Sequence, residues 1–175
     1  MRSARRVARQ LDAPAACSRL RSYGAERFES AWLTLWAAAI GRRGGEPRAW
    51  LMATTVMPQA LLLPHSGALE ATGEDDGALQ LDAGGPPPLA QFERWWLWER
   101  LGRPRQWALR VQPETLCAVD LPLWLGYSEG RQTQLIVLSG LSGEALGALK
   151  PAVLSALHRL SSPADHLSER GVDRV

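Results

Sequence analysis

The sequence predicts an α+β fold: an antiparallel sheet with a Trp-rich helix and a C-terminal amphipathic helix packed on it. Three observations carry this. Residues 118–160 read as a strand (119–125), a polar turn (126–131), a second strand (134–138) and a helix (142–160). Residues 27–40 alternate, with Phe28, Ser30, Trp32, Thr34 and Trp36 set against Glu29, Ala31, Leu33 and Leu35, and a Gly-rich turn at 41–47 leads to β-leaning residues 50–57. Such alternation places successive side chains on opposite faces, so the pair reads as a hairpin. Residues 89–101 hold Phe92, Trp95, Trp96 and Trp98, relieved by Glu93, Arg94, Glu99 and Arg100 and stopped by Gly102, which is a helix.

The remaining elements follow in order. The opening Met-Arg-Ser-Ala-Arg-Arg-Val-Ala-Arg is basic and reads as an arm that frays or binds a partner. Leu11, Ala15, Ala16 and Leu20 then fall on helical spacing, and Tyr23-Gly24 closes that short helix. Pro58 ends the second strand of the hairpin, and Leu61-Leu62-Leu63 forms a short third strand. Residues 65–88 are rich in Gly, Asp, Glu and Pro, and read as a flexible acidic loop in which only Leu79 and Leu81 alternate. Residues 107–112 and 116–121 are strands separated by a turn at Pro113-Glu114. In the last helix, Leu146, Leu149, Val153, Leu157 and Leu160 form the apolar stripe, Ser142 is the N-cap, and Pro151 introduces a kink. The organisation is a basic arm with a short helix (1–24), one α+β domain (25–160) and a polar tail (161–175).

A length of 175 residues suits one ordinary domain. Hydrophobic residues make up 46%, and eight Trp against two Phe put an unusual share of the core into large rings. Of the twenty basic residues only Lys150 is a lysine, which reads as GC-rich coding rather than as a binding surface. Residues 1–50 hold ten Arg against four acids, whereas residues 51–90 hold five acids and no base. A basic first third suits nucleic acid or an acidic partner, but the overall charge of +2 and core-like aromatic spacing favour a protein partner. Cys17 and Cys117 lie far apart without ligand spacing, so neither a zinc site nor a disulfide scaffold is expected, and a cytoplasmic location follows. The longest apolar run, residues 31–40, is about half of a bilayer span.

Catalytic motifs are missing. Lys150 lacks the glycines of a phosphate-binding loop, and Gly140-Leu141-Ser142-Gly143-Glu144 lacks the last glycine of a nucleophile elbow. His65, His158 and His166 have no neighbour at metal-ligand spacing, and Glu74-Asp75-Asp76 lacks the alternating ligands of a calcium loop. Asp120, in an apolar strand, has two readings: a carboxylate with a raised pKa suited to acid–base work, or a residue facing solvent from an edge strand beside Pro122. The expected interface residues are Trp95, Trp96, Trp98, Trp124, Arg94 and Arg103, because the Trp surplus exceeds what one helix face buries. No cofactor or metal is expected.

Two family resemblances bear on function. Leu121-Pro122-Leu123-Trp124-Leu125-Gly126, the strand at 134–138 and the stretch Leu141-Ser142-Gly143-Glu144-Ala145-Leu146-Gly147-Ala148-Leu149-Lys150-Pro151 resemble the strand–strand–helix unit of type III secretion cytoplasmic-ring proteins, relatives of the flagellar switch. Residues 11–63 match their opening helix and hairpins in outline. This resemblance implies a non-enzymatic scaffold that docks components of a secretion apparatus. Gly45-Glu46-Pro47, Trp50-Leu51 and Thr55-Val56-Met57-Pro58 are similar to a hairpin of chorismate lyase, and residues 109–121 to its late strands, with Asp120 where that family uses a glutamate. Its substrate-gripping arginines are replaced here by Thr34 and Thr54, so the bidentate hold on a dianion is missing. The leading expectation is a protein–protein interaction scaffold. A chorismate-lyase-like enzyme and a nucleic-acid-binding adaptor are the alternatives.

Overall fold

In the computed structural model, which describes residues 5–64, 69 and 77–162, the elements in chain order are β1 (Arg5–Arg6), α1 (Ala13–Ser22), β2 (Arg27–Gly41), β3 (Pro47–Ala53), β4 (Leu61–Leu63), β5 (Leu79–Asp82), α2 (Leu89–Leu101), β6 (Arg110–Ser128), β7 (Gln134–Ser139) and α3 (Lys150–Ser161). Short 3₁₀ turns at Pro104–Gln106 and Gly147–Leu149 precede β6 and α3. The fold is α+β. Among the described residues, seven strands form one sheet, framed by the 15-residue β2 and the 19-residue β6, which pair antiparallel from Arg27↔Tyr127 to Gly41↔Arg110.

Shorter strands lie along the outer edges of this frame. β3 and β5 share the free side of β2, β4 extends β3, and β1 and β7 share the free side of β6. β1 and β5 join parallel, so the sheet is mixed rather than purely antiparallel. Pro122 sits where the neighbour of β6 changes from β1 to β7. The carbonyls of Asp120 and Pro122 accept from Val7 N–H and Gly140 N–H on that side. The proline nitrogen points the same way, into the junction, where no N–H is required.

Period-two alternation divides the sheet into two faces. On one face Leu33 and Leu35 of β2 and Val119, Leu121 and Leu123 of β6 are buried against Phe92 and Trp96 of α2 and Ala152, Val153 and Ala156 of α3. On the other, α1 lays Ala16 and Leu20 against Trp124 and Leu138. α1 begins as its sequence dictates, with the Asp12 carboxylate accepting from Ala15 N–H at 2.9 Å, and it ends before Gly24 at φ +90°. Gly126 lets α1 approach, since a Cβ there would stand 2.8 Å from Ala25 Cβ and Leu20 Cδ2.

Several expectations are corrected. No chain reversal occurs at Pro113-Glu114. Those residues belong to a bulge in β6, across which Ala37 pairs with Cys117 and Ala39 with Gln112. The Thr115 hydroxyl accepts from Ala39 N–H at 2.8 Å and donates to Gln112 O at 2.6 Å, carrying the ladder past a proline that has no N–H. Trp107 precedes the strand. The loop expected at 65–88 contains β5, because Leu79 and Leu81 turn one face to the core while the backbone pairs with β2. β3 ends at Ala53, four residues short of Met57. The last helix starts at Lys150, not Ser142, which places Pro151 in its first turn, where a missing N–H costs nothing, and removes the reason for a kink. Ser142 caps no helix: its hydroxyl accepts from Glu144 N–H in a turn that brings Ala145 into a bridge with Leu138.

Candidate functional site

Two constellations stand out, one on α2 and one where the amino-terminal segment crosses the sheet. On α2, residues three and four apart share a face. Phe92 and Trp96 take the inner face, with Trp96 only 2% exposed and its indole N–H donating to Leu109 O at 2.9 Å. Arg94, Leu97, Trp98 and Leu101 take the outer face, and Trp98 is 69% exposed. Trp107 adds a second outward ring, with the Arg100 guanidinium 5.4 Å from its centroid. Trp95 lies between the two faces, edge-on to Phe92 at 5.6 Å, its N–H directed at Pro58 O.

Trp95, Trp98 and Arg94 form one wall of a groove of about 370 Å³ whose other side is Pro58, Gln59 and Ala60. Past Gln91 and Trp95 a second hollow reaches Thr54 and Pro88. The groove lining carries Arg94 and Glu99, while along the sequence residues 91–110 hold Arg94, Arg100, Arg103, Arg105 and Arg110 against Glu93 and Glu99. Arg103 approaches Glu99 at 3.8 Å with both side chains substantially exposed, a pairing that water screens.

The six residues expected at an interface therefore separate. Trp98, Arg94 and Arg103 are on the surface and Trp95 is at its margin, whereas Trp96 belongs to the main core. Trp124, 9% exposed, packs against α1, and its indole N–H donates to Leu11 O at 3.0 Å. Position within the α2 repeat separates Trp96 from Trp98. Trp124 is internal because α1 covers its face of the sheet.

At the second constellation Asp120 is 3% exposed on a central strand, which overturns the solvent-facing reading. One carboxylate oxygen accepts from Arg6 Nε at 3.1 Å, and the other from the Thr34 hydroxyl at 2.7 Å and the Gln80 amide at 3.3 Å. Register explains the convergence, because Arg6 and Thr34 are the direct neighbours of Asp120 on β1 and β2. Next to it the Arg9 guanidinium lies between two indoles, 4.9 Å from Trp32 and 4.8 Å from Trp124. Arg9 also donates to Leu123 O at 2.8 Å and Ala31 O at 3.1 Å. Residues 31 and 123 pair across the frame and turn their side chains to the opposite face, leaving room for the flat guanidinium on the backbone. Sequence reading missed this cluster. Asp120 stood out there as a carboxylate in an apolar strand. Its partners Arg6 and Gln80 and the neighbouring Arg9 did not, and the Arg-x-x-Arg spacing of residues 6 and 9 was their one local signal.

Comparison of the chain with protein-family models, curated proteins and solved structures gives no match.

Thr34, one of the two positions where an arginine grip was sought, serves Asp120, and Thr54 is buried at the end of β3. His158 is exposed on α3, while His65, His166 and the Glu74-Asp75-Asp76 run lie outside the described residues. Among the described residues no group of three potential metal ligands forms, and no helix is long and apolar enough to cross a membrane. Burial pushes the Cys117 thiol above its ordinary value, with Arg5 pulling weakly the other way. The Tyr127 hydroxyl is pushed up to about 12 by burial and by Glu29, whose carboxylate accepts from it at 3.1 Å, against the opposing Arg27.

Proposed function

We propose that this protein is a docking module whose α2 face receives an apolar, acidic segment of a partner protein. The observation that carries this is Trp98, a large ring left outside on a helix whose opposite side is sunk in the core. An exposed tryptophan with an arginine beside it has the composition of an interface hot spot. The excess of arginine over acid in residues 91–110 favours acidic residues beside the apolar anchor of the partner. Components of a protein-secretion apparatus are the class of partner that the ring-protein resemblance suggests, and a non-enzymatic role fits both observations.

The carboxylate of Asp120 supports the same reading over a lyase-like enzyme, because Arg6, Thr34 and Gln80 already occupy both of its oxygens. Arg6 and Arg9 are engaged by the sheet, which weighs against a phosphate-binding arm.

Quantitative affinity capture from native cells tests the proposal, comparing the wild-type chain with Trp98→Ala, Arg94→Glu and the remote control Arg42→Ala. A stoichiometric partner retained by wild type and Arg42→Ala, and lost from the other two, is the expected result. A partner that survives Trp98→Ala places docking elsewhere.

A further inference from the structure

A second arrangement lies away from α2, where the amino-terminal segment crosses the outer edge of β6. The segment crossing it, residues 5–11, is held chiefly by two arginines, each in a differently built seat. The first seat is polar: Asp120, almost fully buried, with Thr34 and Gln80 orienting its oxygens. The second is a flat slot with indole walls, Trp32 and Trp124, and a floor of two carbonyls, Ala31 O and Leu123 O. The slot matches a guanidinium better than an ammonium, because a planar fork can satisfy two carbonyls while stacking on two rings. Between the seats the segment runs extended and parallel to β6, with Val7 N–H bonded to Asp120 O at 3.1 Å, and beyond them Gln10 and Leu11 N–H both reach Gly140 O.

We propose that this edge is a binding site for an extended segment with two arginines three residues apart, that residues 5–11 are its resident intramolecular ligand, and that a partner protein bearing such a segment binds by displacing them. Three features make displacement feasible. Among the described residues β1 pairs with β6 at two positions, Arg5↔Val119 and Arg6↔Asp120. Specificity resides in side chains rather than in a long ladder, so any chain with the same spacing can reproduce it. α1 has packing of its own, Ala16 and Leu20 against Trp124, Leu138 and Ala25, to which the segment adds only Leu11. Adding a strand to an exposed sheet edge is an established mode of peptide recognition, in which the backbone gives affinity and side-chain seats give selectivity.

The test uses the full chain carrying Arg6→Ala and Arg9→Ala, and a synthetic peptide with the sequence of residues 5–12. Binding is followed by titration calorimetry and by the rise in thermal midpoint. The expected result is saturable binding to the double variant, at least ten-fold weaker binding to wild type, whose own segment competes at high effective concentration, and loss of binding when either peptide arginine (the counterpart of Arg6 or Arg9) is alanine. A peptide with lysine in place of Arg9 should bind several-fold more weakly. If the double variant does not fold, the Arg6→Lys/Arg9→Lys chain takes its place in the same titration. A dimer that exchanges its amino-terminal segments at high concentration, and dissociates on adding peptide, also supports the site. No binding at millimolar peptide to the folded variant overturns it, as does equal binding of the alanine peptides.

Discussion

Removing the Arg6 guanidinium leaves the Asp120 carboxylate inside the sheet with only neutral donors. Breaking a buried pair from one side costs about 3–5 kcal/mol. Thr34 and Gln80 remain, so Arg6→Ala is expected near the lower end, about 3 kcal/mol in urea unfolding. The two α2 tryptophans provide a contrast within one turn. Trp96→Ala should cost about 3–5 kcal/mol, because it empties a filled core position and removes the bond to Leu109 O. Trp98→Ala should shift stability by less than about 0.5 kcal/mol, measured in the same denaturant series. Tyr127 gives a pH signature. Its folded pKa lies above the ordinary value of 10, so the stability it contributes is complete below pH 10 and is lost as pH rises from 10 towards about 12. Ultraviolet titration of wild type against Tyr127→Phe should show one phenol ionising near 12, and Glu29→Gln should move it down.

Among the elements, α1 rests on the bare backbone of Gly126. In Gly126→Ala a methyl group would meet Ala25 and Leu20 at 2.8 Å, so α1 must lift from Trp124 and Leu138. A loss of about 1–3 kcal/mol is expected, with hydrogen exchange accelerated selectively in residues 13–22. α1 and the β2–β3 hairpin were legible in the sequence, because the spacing of Leu11, Ala15, Ala16 and Leu20, the stop at Tyr23-Gly24 and the run from Phe28 to Trp36 are local signals that tertiary contacts reinforce. The continuity of β6 was not. Pro113 signals a turn locally, and only the hydroxyl of Thr115, bonded across to Ala39, turns that interruption into a bulge. The start of α3 was hidden for a similar reason. Leu146 bonds by its N–H to Val137 O and extends the edge of β7, which delays the helix until Pro151 can occupy its first turn.

Across the whole molecule, the alternation in β2 favoured a strand, but both of its faces are partly apolar, and a helix with Phe28, Trp32, Leu35 and Ala39 on one side also fitted. It did not by itself divide the sheet into an apolar and a mixed face. The polar cluster on the mixed face was not legible either, because its members come from β1, β2, β5 and β6 and only pairing brings them together. Arg6 and Asp120 are 114 residues apart, and Thr34 and Asp120 are 86 apart. A fold dominated by such distant pairings is expected to refold in milliseconds to seconds rather than microseconds, which stopped-flow tryptophan fluorescence can check. The same feature bears on biosynthesis. β2 leaves the ribosome with the edge it later gives to β6 still unpaired; pairing can begin once Arg110 is made and is complete only after Tyr127. During that interval the nascent chain offers an apolar hairpin with an open side to any neighbour on the same polysome. The pace of translation through the intervening residues therefore sets how many copies need a chaperone before the second half of the frame arrives.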